Sequence, residues 1–280
     1  MIRIVTDSTC DLPAGLIAQH NIHIVPIHIQ FGAETYRDGE TIDKPTFYRR
    51  VEQNGTLPQT SQPPPSDFVR MYQAIAGPAD EIFSIHVTGK LSGTFNSAQM
   101  AAEALADHIK VHVFDSWAGS AGLGFMCLDA ARMAEAGRDA AEILKRLEIT
   151  RPQVNHLFTL ANLKFAEMSG RVNRLQSVLA SLLNVKPIVR AEGGLMEVAA
   201  QVRTRRRAVE RVIQIARERV GEARVNLAVI HAQAPDEAVE LLEQARHALQ
   251  VGEAFVQDLA LSLAVHFGPG TLAVVTYPAD

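Results

Sequence analysis

The sequence predicts an α/β protein in two halves. Residues 1–150 read as a doubly wound parallel sheet, and residues 151–280 as an α+β half with a mixed sheet. Two observations point there. Up to residue 150, short apolar, β-branched runs alternate with helical segments, the order that builds parallel βαβ units. Beyond Pro152 the pattern changes, and two strand-like runs face each other across Glu192-Gly193-Gly194, as an antiparallel hairpin requires.

Taken in order, Ile2–Val5 is a short buried strand that stops at the polar segment Thr6-Asp7-Ser8-Thr9-Cys10-Asp11-Leu12-Pro13. Pro13 opens a helix to about Gln19, and Asp11 is placed to cap it. Ile22–Phe31 is a second strand interrupted by Pro26, followed by a polar excursion, Gly32–Lys44, and a helix over Pro45–Gln53. Thr56–Pro65 holds four prolines, which argue for a stiff extended loop with neither helix nor strand. Ser66-Asp67 starts a helix through Ile75. Glu81–Val87 is a buried strand and Phe95–Ala106 a helix. Ile109–Phe114 alternates as an edge strand should. Ala118–Ala136, rich in Ala, Gly, Leu and Met, is a buried helix whose small residues serve close packing or line a slender apolar cavity. Gly137-Arg138-Asp139 restarts a helix to about Leu147.

In the second half Asn155–Leu160 is a strand, and Leu163–Met168 carries no decisive pattern. Ser169-Gly170-Arg171 is a turn, and Val172–Leu183 an amphipathic helix. Val185–Val189 pairs with Leu195–Val202. Arg203–Arg219 is a basic helix, Arg224–His231 a strand, Pro235–Leu249 a helix and Ala254–Leu259 a strand. His266-Phe267-Gly268-Pro269-Gly270 is a sharp turn before the last strand, Thr271–Tyr277.

Composition narrows the function. A 280-residue chain with 47% hydrophobic and 21% charged residues has the make-up of a globular protein. A net charge of −4 argues against a nucleic-acid surface across the whole molecule. Cys10 and Cys127 have neither metal-ligand nor disulfide-framework spacing, so a reduced cytoplasmic setting is expected. No stretch reaches the roughly 20 apolar residues of a membrane span.

The chemistry gathers on loops. Thr88-Gly89-Lys90-Leu91-Ser92-Gly93-Thr94 falls where the strand Glu81–Val87 ends and a helix begins. Backbone N–H groups there lack intrahelical partners and the helix dipole is positive. Two hydroxyls and a glycine at that point suit an anionic oxygen, phosphate or carboxylate, and they equally suit an ordinary capped helix. Thr60 and Ser61 form a second hydroxyl pair on the Pro-rich loop.

These stretches together resemble the DegV family of fatty-acid-binding proteins (FakB type), over essentially the whole chain. The resemblance rests on Thr6-Asp7-Ser8 with Asp11-Leu12-Pro13, on Thr60-Ser61-Gln62-Pro63 and on Leu91-Ser92-Gly93-Thr94. It continues in Asp115-Ser116, Gly122-Leu123-Gly124, Gly170-Arg171, Val185-Lys186-Pro187-Ile188, and His266 with Gly268-Pro269-Gly270. It implies a two-domain DegV-like fold with one long-chain fatty acid in a tunnel between the domains. The carboxylate would be held by Ser61, Ser92 with Gly93 and Thr94, and His266, with Thr60 as a neighbour. A carboxylate partner would favour the charged form of His266. The resemblance further implies no catalytic residue, metal or cofactor in this chain. It implies too that a separate ATP-binding fatty acid kinase subunit phosphorylates the carboxylate, with Arg171 meeting that kinase or the acyl phosphate. Contact with a membrane surface would be transient at most. This chain departs from common family patterns at Thr88-Gly89-Lys90, where Ser-Ser is frequent, and at Ser169-Gly170, where Gly-Gly is frequent.

Three rivals remain on the sequence. Ala118-Gly119-Ser120-Ala121-Gly122 approaches a nucleophile elbow, so a serine hydrolase of small esters using Ser120 is the alternative. Asp115-Ser116-Trp117 separates that serine from its strand and weighs against it. The basic stretch Arg203–Arg211 could meet phosphates, though such a stretch is more often a solvated face. The chain itself has no P-loop or protein-kinase signature.

Overall fold

The computed structural model describes residues 1–54, 57–77, 79–161, 164–169 and 185–279. It divides into two compact units, one of Met1–Arg151 with Ala260–Ser262 and the other of Pro152–Leu259 with Leu263–Asp280.

In the first unit, β1 (Ile2–Asp7), β2 (Ile22–Val25), β6 (Glu81–His86) and β7 (Lys110–Asp115) form an all-parallel sheet in the order β2-β1-β6-β7. The chain therefore winds to one side of β1, then crosses to the other side for β6. Open α/β sheets place ligands beyond the carboxyl ends of the strands at such a reversal. The helices Pro65–Ile75 and Thr94–Ala104 pack on one face, where Phe68, Tyr72, Ala98 and Ala101 join Val5 and Ile82 in a buried cluster. The helix Ser120–Glu135 packs on β1 and β6, with its Cys127 thiol beside Thr6, the residue that alternates with Val5 along β1. It therefore covers the opposite face, and the doubly wound layout expected from the sequence is present.

At Gly124 the small residue of that helix serves packing. A Cβ added to Gly124 would lie 2.3 Å from the Cys10 carbonyl oxygen and 2.8 Å from Leu12 Cγ, which leaves no space for a cavity there. The helix Ala140–Thr150 begins with a capping box in which Asp139 and Glu142 each satisfy the other's backbone N–H.

A smaller antiparallel sheet departs from the sequence expectation. β3 (His28–Phe31), β4 (Glu34–Arg37) and β5 (Gln59–Ser61) pair in the order β4-β3-β5. Pro26 ends β2, so the single interrupted strand becomes two strands in different sheets. The polar excursion after Phe31 turns back as a hairpin, and the Pro-rich stretch, expected to hold no strand, contributes β5. It can do so because Pro58 and Pro63 flank the three paired residues and never enter the ladder.

The second unit is built on β8 (Asn155–Thr159), β9 (Lys186–Glu192), β10 (Leu195–Val202), β11 (Arg224–His231), β12 (Gln250–Asp258) and β13 (Leu272–Pro278). Their order is β10-β9-β8-β13-β11-β12, parallel only between β11 and β12, so the sheet is mixed. The β9–β10 turn has both Gly193 and Gly194 at positive φ (56° and 82°), which a two-residue hairpin loop needs. Helices Arg205–Val220 and Pro235–Ala248 bury Val212, Ala216, Leu241 and Ala245 with Leu227 and Val229 of β11.

Two short helices were not read from the sequence, Lys164–Ser169 and Leu261–Phe267. At six and seven residues they are too short for a periodic signal. The expected turn at Ser169-Gly170-Arg171 and helix Val172–Leu183 fall on or run into residues 170–184, so they lie outside the described residues, as does Arg171. Among the described residues no helix is long and apolar enough to cross a membrane.

Candidate functional site

The loop after β6 is fixed through its N–H groups to the end of β7 and the loop that follows it. Thr88 N–H donates to the Ala118 carbonyl at 2.8 Å and Gly89 N–H to Asp115 Oδ1 at 3.2 Å. Leu91 and Ser92 N–H then turn back on the Thr88 carbonyl. This tight turn delivers Ser92 to the start of the helix Thr94–Ala104. The N-cap position is Gly93, which has no side chain to cap with. Ser92 Oγ and the buried Thr94 Oγ1 lie 2.8 Å apart, and Thr94 N–H donates to Ser92 Oγ at 3.3 Å. The Ser92 hydroxyl thus serves the helix's first N–H, as the capping reading expects, and forms with Thr94 a pair of coupled hydroxyls at the positive end of a three-turn helix, as an anion site needs.

The second hydroxyl pair arrives from a different sheet. Thr60 pairs with Ile29 and Ser61 with His28, and Gln30 Nε2 donates to Ser61 Oγ at 3.5 Å. The next residue ties the two stretches together. The Gln62 carboxamide lies over the Cα of Gly93, so that a Cβ added at Gly93 would sit 2.6 Å from both Gln62 Cδ and Nε2. Thr60-Ser61-Gln62 and Ser92-Gly93-Thr94, far apart in sequence, are thus neighbours within the first unit. Gln62 carried no functional reading in the sequence. Its place in the Thr60–Pro63 motif was the available signal.

His266 stands in the second unit, near the end of the helix Leu261–Phe267, its ring edge-on to Phe267. The turn after it is tightly packed. Gly268 has φ +75° and a Cβ there would lie 2.5 Å from the Phe165 ring, while Thr271 Oγ1 donates to the Phe267 and Gly268 carbonyls. The conformation is one that L side chains rarely adopt.

Buried polar groups surround the carboxyl ends of β1 and β6, Asp7 from the Thr6-Asp7-Ser8 motif and Ser84 and His86, which the sequence did not single out. Ser84 and His86 share one face of β6, and Asp7 ends the neighbouring strand. His86 Nδ1 donates to Asp7 Oδ2 at 3.1 Å. Its Nε2 therefore accepts from Ser84 Oγ at 2.6 Å, and Ser84 Oγ in turn accepts from the Tyr72 hydroxyl at 2.7 Å. Burial raises the Tyr72 phenol well above its ordinary value, which keeps it a donor. The order Asp–His–Ser is that of a hydrolytic triad, yet all four residues have 0% exposure and Tyr72 occupies the serine. A substrate has no access to it, and the chain of bonds works as a satisfied core network.

Two further carboxyl groups are buried nearby. Asp11 does not cap the helix Ala14–Gln19, whose N-terminus has no side-chain cap. It accepts from Ser120 Oγ and, at 2.8 Å, from Ala260 N–H. Asp38 accepts from Ser8 Oγ and from both N–H and Oγ of Ser262. Burial pushes the Asp11 carboxyl up to about 8 and raises that of Asp38. Ser120 is almost fully buried and spends its hydroxyl on Asp11, so it is not poised as a nucleophile.

The basic helix is partly paired. Arg205 pairs with Glu237, Arg206 with Glu210, Arg211 with Glu218 and Arg219 with Glu192. That pairing fits a solvated face.

A family model described as "Uncharacterised protein, DegV family" matches residues 1–279. Protein DegV of Bacillus subtilis is 33% identical over 275 residues, covering 98% of each chain. A DegV domain-containing protein of Deinococcus radiodurans is 32% identical over 281 residues, covering 99% of this chain and 98% of the relative. Among solved structures, a DegV family protein from Thermus thermophilus, described by its fatty acid binding, superposes with TM-score 0.92 at 34% identity over 99% of both chains. The structure of Bacillus subtilis DegV, described as a fatty acid binding protein, gives 0.91 at 32% identity over 99% of both.

Proposed function

The chain belongs to the DegV family, and on that premise we propose that it binds one long-chain fatty acid and presents the carboxylate to a separate fatty acid kinase. The observation that carries the reading is the meeting of Thr60-Ser61-Gln62 with Ser92-Gly93-Thr94 at the start of a helix. A carboxylate taken out of water must be hydrogen-bonded or charge-compensated. Ser61, Ser92 and Thr94 supply hydroxyls, Gly93 by lacking a side chain lets the two stretches meet, and the helix dipole supplies partial positive charge. Thr60 is a neighbour of the site. His266 is the further partner implied by the family resemblance, and Arg171 the residue that meets the kinase or the acyl phosphate; both assignments rest on the resemblance. The acyl tail contributes about 0.8 kcal/mol for each buried CH₂.

In this reading the chain is a carrier and brings no catalytic residue, metal or cofactor of its own. The kinase transfers a phosphoryl group from ATP to the presented carboxylate, in the cytoplasm, with at most transient contact at a membrane surface. Fatty acid binding by the Thermus and Bacillus relatives supports the ligand class. The sealed Asp7–His86–Ser84 chain and the occupied Ser120 weigh against the hydrolase alternative.

Native mass spectrometry of the purified protein, followed by denaturing extraction and lipid analysis, tests the proposal. A single added mass matching a long-chain fatty acid, lost on delipidation and restored when fatty acid is offered, is the expected result. A protein that emerges empty and takes up no fatty acid overturns it.

A further inference from the structure

Gln62 is a polar side chain through which the two hydroxyl stretches meet. It is exposed, directly follows Ser61, and its carboxamide occupies the space above the Gly93 Cα. Among the described residues its carboxamide makes no hydrogen bond, so both N–H donors and the carbonyl acceptor are uncommitted. The nearby hydroxyls are differently employed. Ser92 and Thr94 are bonded to each other, and Ser61 accepts from Gln30. The absence of a side chain at Gly93 is what gives the carboxamide room, since any Cβ would meet its Cδ and Nε2 at 2.6 Å and its Oε1 at 2.8 Å.

We propose that Gln62 is a head-group selectivity residue, a neutral cover over Gly93 whose Nε2 donates to the outward oxygen of the bound carboxylate. This deepens the fatty acid reading and rests on it. A carboxamide suits the task for a physical reason. It donates to an anionic oxygen without itself carrying a charge, so it need not be compensated when the site is empty. A hydroxyl head group on the same tail offers this donor a weaker acceptor than a carboxylate does, so the contact discriminates acid from alcohol. Exposure matters as well. A donor at the surface can turn aside, leaving the outward oxygen open to an incoming phosphoryl group.

The test compares palmitic acid with hexadecanol, tails of equal length, by competition against a fluorescent fatty acid on delipidated protein at pH 7.5. The wild type should prefer the acid. Gln62→Ala should weaken the acid about tenfold, and Gln62→Glu by tenfold to a hundredfold, because an acceptor carboxylate then faces the ligand carboxylate. Affinity for the alcohol should change less than about threefold in both. Gln59→Glu, the same charge change earlier in β5, should leave the acid-to-alcohol ratio where it was. Because a Gln62 side chain that served only to support the loop would weaken both ligands together, equal losses for acid and alcohol overturn the inference. So does an unchanged ratio in Gln62→Glu. If the wild type binds no palmitic acid, the fatty acid reading itself fails and takes this inference with it, whereas wild-type binding with an unmoved ratio removes the inference alone.

Discussion

Replacing Asp11 by Asn should change how the protein's stability depends on pH. The Asp11 carboxyl is buried, accepts from Ser120 Oγ and Ala260 N–H, and is pushed up to about 8 by desolvation. In an unfolded chain an aspartate titrates near 3.9. Between those values the folded protein holds one proton that the unfolded chain has released. Stability from this group is therefore full below about pH 4, falls as pH rises, and is lost above about pH 8. One proton corresponds to about 1.4 kcal/mol per pH unit. Asn keeps the shape and an acceptor for Ala260 N–H, and it does not titrate. The stability of Asp11→Asn minus that of the wild type should therefore rise by about 1.4 kcal/mol per unit between roughly pH 5 and 7, then level off above 8. Urea unfolding at half-unit steps from pH 5 to 9 measures this directly, with unchanged m-values as the check on two-state behaviour. A difference that stays constant across the range would show that Asp11 ionises normally in the folded protein, and the desolvation argument would be refuted. Asp38, raised for the same reason, should remove a further part of the slope when replaced by Asn.

Ser92→Ala removes one of two coupled hydroxyls at the helix start, and palmitate affinity in the competition assay should fall by tenfold to a hundredfold, the worth of a hydrogen bond to a charged group. Ser84→Ala leaves the Tyr72 hydroxyl and His86 Nε2 without their shared partner in a fully buried setting, so urea unfolding should show a loss of about 2–4 kcal/mol. The same variant should show no change in background hydrolysis of a p-nitrophenyl ester, whereas a drop would revive the hydrolase reading for the sealed triad. Gly268→Ala combines a left-handed backbone with a Cβ 2.5 Å from the buried Phe165 ring, and should cost about 2–4 kcal/mol by the same measurement.

Much of the fold was legible in the sequence, because the information was local. Strand runs such as Glu81–His86 and Arg224–His231, the hairpin about Gly193-Gly194, and the Ala-rich helix Ser120–Glu135 declare themselves through periodicity, propensity and turn chemistry within a dozen residues. So did the hydroxyls at the strand-to-helix junction, and the order of the motifs placed the chain in its family. What only the tertiary structure decided depends on partners distant along the chain. β5 is a strand because β3 offers it an edge, which overrides a Pro-rich stretch that looks like loop. Asp11 resembles a helix cap until folding brings Ser120 and Ala260 to it. Ser84 and His86 are unremarkable in an apolar run until Asp7 and Tyr72 close the chain of bonds around them. Gln62 is a loop glutamine until Gly93, by lacking a side chain, leaves it a place to lie. Backbone preference is written residue by residue, but burial and polar pairing are set by which surfaces meet. A buried carboxyl or an uncommitted carboxamide gains its meaning only from those neighbours.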